Sequence, residues 1–404
     1  MKRAAGRASS LFLSSRLGHF LLTASPWLAA IVVAGGTFNY LPSDWNHWPV
    51  AHYFIATLGG LTVLFALFWL RARQIWGQAS EVRNQSPPLD DVRREIQRAY
   101  RPGAGDTRSG WSHYLGEYPY EQTASPLSTA YGLEIVILLA FQTPRVAISP
   151  CQKSIFDYAN ADGGWSVQSQ RGISRPEVTA VVAGVMARLS GPDSQIEKAA
   201  ATIAEAMREN ADPLMNSSTY VVATVLEHAP FLGLPEENTL SLISRLVEGA
   251  VKTVDGFHWT ESLVRHNEAV ASTALTAQVA IAFQSIERDA ELSSRAQDAL
   301  NGAISWLEKN ADMTHSSSEV IRYSAEGEQD LNSPKHFTAA LVLIALLQSG
   351  RGSGKKTFEA LQAVWGRFGK GGVWAWEDGE SPIWMTYFGL RALIAWSVRS
   401  KAVD

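Results

Sequence analysis

Two kinds of helix alternate along most of this chain, and few folds accommodate both. One kind carries a single apolar stripe at i, i+3, i+4, i+7, i+8 and i+11. Ile196, Ala199, Ala200, Ile203, Ala204 and Met207 follow that template, as do Ile243, Leu246, Val247, Ala250, Val251 and Val254. Ala296, Ala299, Leu300, Ala303, Ile304 and Leu307 repeat it, and shorter matches begin at Cys151, Val92 and Phe358. The other kind has no clear wet face: Leu127–Phe141, Val178–Leu189, Tyr220–Leu226, Ala269–Phe283, Phe337–Leu347 and Ile383–Val398. A helix apolar most of the way round is buried on most sides.

Outer helix, turn, inner helix, repeated at a spacing of roughly 45–60 residues, is the signature of a repeat architecture. An open array would leave the inner faces bare, so the hairpins close most simply into a ring. The expected fold is all-α, an (α/α)6 toroid of six helical hairpins over 89–404, preceded by a two-helix transmembrane hairpin. The junctions agree. Asp162-Gly163-Gly164-Trp165, Asp255-Gly256-Phe257-His258-Trp259 and Lys370-Gly371-Gly372-Val373-Trp374 each follow an outer stripe. Glycine is the expected helix stop, and the tryptophan can plug the space between hairpins. Pro176, Pro334 and Pro382 mark the first turns of inner helices, where proline loses no hydrogen bond.

Phe156-Asp157-Tyr158-Ala159-Asn160-Ala161-Asp162-Gly163-Gly164-Trp165, with Val178-Thr179-Ala180 after it, resembles the repeat of the terpenoid cyclase and protein prenyltransferase α/α-toroid superfamily. Ser305-Trp306-Leu307-Glu308-Lys309-Asn310-Ala311-Asp312 resembles its outer half, and the resemblance spans roughly 89–399. It implies the scaffold. It does not bring the activity, because the Asp-x-Asp-Asp acid run of class II cyclases is missing. The one cysteine, Cys151, sits on an outer helix, poorly placed for a prenyltransferase zinc site and too few for a lanthionine cyclase.

Ahead of the toroid, only Asp44 is charged between Arg16 and Arg71. Phe20–Phe38 and Ala51–Leu70 are each about the twenty residues that cross a bilayer. Tyr40, Trp45 and Trp48 suit the headgroup belt, and the loop between the runs has no Lys or Arg. Lys2, Arg3, Arg7 and Arg16 precede the first run, and Arg71, Arg73 and Arg83 follow the second, which puts both termini in the cytoplasm at the inner membrane. A signal peptide or a buried hairpin of a soluble protein are the competing readings. The expected division is a basic N-terminus (1–16), the membrane hairpin (17–72), a linker (73–88) and the cytoplasmic toroid (89–404). The bilayer is one expected partner, and the hairpin offers a route to homo-oligomers.

Chemistry is less legible. A formal net charge of −4 gives no overall basic balance for nucleic acid. There is no metal motif, no phosphate loop and no cofactor signature. In a closed toroid the inner helices run parallel, so their N-termini and partial positive charges converge on one mouth. The preceding loops add Arg171, Arg175, Arg265, His266, Asn267, Arg322, Lys335 and His336, and the aromatics Trp165, Trp259, Trp374, Trp376, Trp384 and Tyr387. That set suits an anionic small molecule with a flat part, or a partner protein, held without catalysis by a sensor or membrane effector of the kind seen in bacterial defence. The bland alternative pairs the arginines with Glu177, Glu261 and Glu268 and makes the tryptophans packing. An enzyme on an isoprenoid or lipid substrate is a rival, and a glycan-processing (α/α)6 enzyme another. Catalytic candidates would be Glu268, Asp378 and Glu177, with Glu261 and Glu380 behind them.

Overall fold

The chain divides into two units, at Arg83 and Asn84. The computed structural model describes residues 85–403 except 104–107, 116–122, 168–171, 209–216, 265–269, 287–291, 314–320, 326–327, 333 and 370. The backbone alone is described at 292–293, 321–325, 328–332 and 401–403.

The described residues form α1 Leu89–Ala99, α2 Pro126–Leu138, α3 Ile148–Asp157, α4 Pro176–Ser190, α5 Ser194–Ala206 and α6 Thr219–Leu232. They continue as α7 Glu236–Glu248, α8 Thr273–Ser285, α9 Leu292–Asn310, α10 Thr338–Gln348, α11 Lys355–Gly366 and α12 Ile383–Val403. The even-numbered helices pack in order, α2 on α4, α4 on α6, α6 on α8, α8 on α10 and α10 on α12, and α12 returns to α2. This is a closed inner ring of six, with the amphipathic helices outside it. The seam is stitched by backbone: Leu115 N donates to Ser381 O at 2.8 Å and Ile383 N to His113 O at 3.0 Å, while Ser381 Oγ donates to Leu115 O.

Local sequence explains the inner starts. Ser125, Ser218 and Ser272 cap α2, α6 and α8, each accepting from the N–H three residues on. Pro126 and Pro176 open α2 and α4. Pro382 directly precedes α12, whereas Pro334 stands four residues ahead of α10.

One tryptophan unit recurs four times. Trp111, Trp165, Trp259 and Trp374 are fully buried. Each indole N–H donates to a carbonyl in the last turn of the preceding outer helix: Ile96, Ile155, Leu246 and Val364, at 2.8–2.9 Å. Those carbonyls are among the four that every helix leaves without an internal partner. Each tryptophan backbone N–H then donates to a threonine hydroxyl at the fourth residue of the next inner helix: Thr129, Thr179, Thr276 and Thr386, at 3.0–3.4 Å. A tryptophan thus ties the end of one outer helix to the start of the next inner one. In two units the inner helix offers a glycine beneath the ring. A Cβ on Gly132 would stand 2.2 Å from Trp111, and one on Gly389 2.5 Å from Trp374.

Two expectations change. The stripe through Val251 and Val254 does not stay helical, because α7 stops at Glu248 and Val251–Thr253 pairs antiparallel with Gly256–His258 as β1–β2. Val254 at its turn is 99% exposed. A second hairpin, β3 Ile321–Ala325 with β4 Glu328–Asn332, stands between α9 and α10. The two-span inner-membrane assignment is also withdrawn. Among the described residues no helix is long and apolar enough to cross a membrane, and the runs 20–38 and 51–70 lie outside the described residues.

Candidate functional site

The inner helices are not dry throughout. On α6, Tyr220, Thr224, Glu227 and His228 recur at i, i+4, i+7 and i+8, and on α12 Trp384, Tyr387, Phe388 and Arg391 recur at i, i+3, i+4 and i+7. Each set shares one helix face, and both line a cavity of about 260 Å3 inside the ring. Tyr131 and Glu134 of α2, Val181 of α4, Gln278 of α8 and Leu341 of α10 complete the wall, so every inner helix contributes. Loop residues His113, Tyr114, Lys335, His336, Trp376 and Glu380 form the rim. Glu134, Glu227 and Arg391 are each the ninth residue of their helix, so at 1.5 Å per residue the pocket reaches about 13 Å below the helix starts.

An ion pair closes the inner end. Arg391 Nη1 lies 2.7 Å from Glu227 Oε1, with the side chains 21% and 13% exposed. Helices α6 and α12 stand three places apart in a ring of six, on opposite sides, so this pair crosses the bore. Burial would push the Glu227 carboxyl up, but Arg391, His228 and Arg188 outweigh it and hold it below the usual carboxylate range. Burial likewise opposes the Arg391 charge, and Tyr387 and Glu227 more than restore it. Tyr387 Oη lies 3.3 Å from the same guanidinium nitrogen. Beside the pair, the buried Glu134 of α2 forms an ion pair with the partly exposed Arg188 of α4.

Aromatic planes make up much of the remaining wall. Tyr131 lies 5.5 Å from Tyr387, His336 5.2 Å from Tyr220, and His113 4.6 Å from Trp384. Burial, with Tyr220 and Tyr387 nearby, raises the Tyr131 hydroxyl well above its ordinary value, so it stays a neutral donor. Burial alone pushes His113 down to about 4. It does the same to His228, where Glu227 opposes and Arg188 and Arg391 assist. Both imidazoles are therefore uncharged at neutral pH. A Cβ on Gly184 of α4 would come within 2.8 Å of His228 Nδ1, so the glycine is what lets this ring sit between the helices.

His228 carries a pH dependence whose sign follows directly. Unfolded histidine titrates near 6.5, and the folded group near 4, so the unfolded chain binds more protons between these values. Stability is complete above 6.5 and falls as pH drops toward 4, by roughly 3 kcal/mol at most from this group. Glu227, whose folded pKa is depressed, adds a further loss below its unfolded value. Urea unfolding at pH 7.5 and pH 5 should show the first loss, and His228→Asn should shrink it. An equal acid loss in the variant would move the effect to His113 or elsewhere.

The expected site residues separate into groups. Trp376, Trp384, Tyr387, Lys335 and His336 come together at the pocket. Lys335 Nζ sits 4.4 Å over the Trp376 ring and 3.8 Å from Asp378, whose side chain is 55% exposed and outside the lining. Trp165, Trp259 and Trp374 are not at the pocket, being engaged in the repeated unit. Arg175 and Glu177, 2% and 1% exposed, flank the start of α4 away from the lining. Arg171, Arg265, His266, Asn267 and Glu268 lie outside the described residues. No group of three metal-ligating side chains occurs among the described residues.

No family profile matches the chain, and no curated protein does. Among solved structures it is similar to a family 76 glycoside hydrolase from a bovine Bacteroides thetaiotaomicron strain. The TM-score is 0.49, with 11% identity over 78% of each chain. A mutant unsaturated glucuronyl hydrolase from Streptococcus agalactiae gives 0.41, with 10% identity over 78% of this chain and 90% of that one. The resemblance to terpenoid cyclases and prenyltransferases does not hold. The solved structures it is similar to are a glycoside hydrolase and a glucuronyl hydrolase.

Proposed function

We propose that the toroid is a glycan-directed protein whose axial pocket binds a neutral saccharide. The observation that carries this is the pairing of aromatic walls with a balanced, buried polar end. A sugar ring presents C–H faces that pack on aromatic planes, and hydroxyls that both donate and accept. Tyr131, Tyr220, Trp376, Trp384 and Tyr387 supply the planes. Glu227 and Arg391 supply a fixed acceptor and donor, each stronger than a neutral group.

Charge balance in the described pocket favours a neutral ligand over the anionic one expected from the loops. Arg391 is matched by Glu227, Arg188 by Glu134 and Lys335 by Asp378. Glu380 adds an acid at the rim, and the two shifted histidines are neutral. The described pocket therefore carries no surplus cation for a phosphate. Both carboxylates at its inner end are committed to arginines. Glycoside hydrolysis requires a protonated and an ionised carboxyl facing one bond, so the described inner end fits recognition better than cleavage.

Calorimetric titration of the purified chain tests the reading. Soluble neutral oligosaccharides should bind, and Trp384→Ala should weaken them about ten-fold, or ~1.4 kcal/mol. Inorganic phosphate and ATP should give no heat. Tight binding of the phosphates with no response to any oligosaccharide would sink it.

A further inference from the structure

At the inner end of the pocket one acceptor has nothing to accept. Gln278 of α8 is 5% exposed. Its Nε2 donates to Thr224 Oγ1 of α6 at 2.7 Å, and its Oε1 makes no hydrogen bond. Both residues line the cavity. His228 follows Thr224 by one turn on the same face of α6, and its Nδ1 is bare too. A polar atom buried without a partner weakens a fold, and native interiors hold few of them. The Gln278 oxygen, on a residue that lines the cavity, is accounted for if a ligand supplies the donor.

We infer that Gln278, with His228 beside it, reads hydrogen-bond donors at the buried end of the ligand. The site then takes a saccharide presenting a free hydroxyl or an acylamino N–H there, and rejects the same sugar carrying a carboxylate or phosphate at that end. This deepens the saccharide reading and rests on it. The chemistry is one-sided. A hydroxyl can turn its hydrogen toward an amide oxygen, whereas a carboxylate or phosphate oxygen would face Gln278 Oε1 and Glu227 with no hydrogen between. Of the nearby guanidinium, Nη1 is already engaged by Glu227 and Tyr387. Thr224 Oγ1 accepts from the amide nitrogen, which leaves Oε1 as the amide atom without a partner.

The test is calorimetry on the full chain with neutral disaccharides (maltose, cellobiose, mannobiose), and with glucuronate and glucose 6-phosphate as anionic probes. The wild-type protein should prefer a neutral disaccharide over both anions by at least about ten-fold. Gln278→Met should lose about ten-fold on the neutral ligand, since a buried ligand donor is then unmatched. The thermal midpoint should hold or rise, because the substitution also removes a bare acceptor. A Gln278→Met protein that binds like wild type overturns the inference, as does one whose affinity and midpoint fall together. Thr224→Val frees the amide without removing its oxygen and should cost about three-fold. Valine proving worse than methionine would also overturn the assignment. If no saccharide binds the wild-type chain, it is the pocket reading itself that fails, a result distinct from saccharide binding that ignores Gln278.

Discussion

Glu227→Leu should destabilise the protein by about 3–5 kcal/mol, the largest effect expected of any pocket substitution. The cause is what it leaves behind. Arg391 sits 2.7 Å from the carboxylate with only 21% of its side chain exposed, and without Glu227 its charge loses its paired anion. In a domain of this size each kcal/mol moves the thermal midpoint by roughly 2–4 °C, so the fall should be on the order of 10 °C. The matched double substitution Glu227→Leu with Arg391→Met removes both charges and should recover most of it, since an apolar pair of similar volume often replaces a buried ion pair without loss. Thermal melts of the four proteins in the cycle measure the coupling directly. A single variant that melts like the wild type would mean that the two side chains do not meet across the axis.

Trp374→Ala and Trp384→Ala should part company, although ten residues separate them and both were expected at the mouth. Trp374 is fully buried, its indole bonded to Val364 O and its ring seated on Gly389. Truncating it empties a wedge between α11 and α12 and removes the indole bond to Val364 O, at a cost of about 3–5 kcal/mol. Trp384 borders the cavity, with its indole 3.4 Å from Lys335 O. Its loss should show mainly in ligand binding, with a smaller fall in midpoint. Denaturant midpoints and titration heats for both variants separate the roles. Equal effects in both assays would erase the distinction between wedge and wall.

The ring was legible because its periodicities are strong. A one-striped helix and an all-apolar helix can satisfy each other only by stacking, and repetition leaves little choice but closure. The wedges were half legible. Three of the four tryptophans announce themselves within three residues of a junction glycine, at Gly164-Trp165, Gly256-Phe257-His258-Trp259 and Gly372-Val373-Trp374, but the residue type could not say whether the ring faces a ligand or a neighbouring helix. Trp111 was missed although Gly110 precedes it. The pocket was hardest to foresee, for a specific reason. Glu134, Glu227 and Arg391 interrupt otherwise apolar segments, as in Leu133-Glu134-Ile135 and Leu390-Arg391-Ala392. A lone charge in such a segment is rarely buried unless paired or functional, and that signal outranked the loop arginines. Pairing across a bore joins residues 164 apart, which no local pattern reveals. The strands escaped because β1 continues the apolar spacing of α7, and only the chain reversal at Asp255-Gly256 distinguishes them.

The backbone seam from Leu115 to Ser381 bridges 266 positions, which bears on how the molecule is made. The middle hairpins can assemble on one another as they leave the ribosome, each needing only the one before it. The final stitch must wait for the last helix. A nascent chain paused short of residue 381 would present an unclosed horseshoe with an apolar gap at each tip, and so a form prone to joining another of its kind.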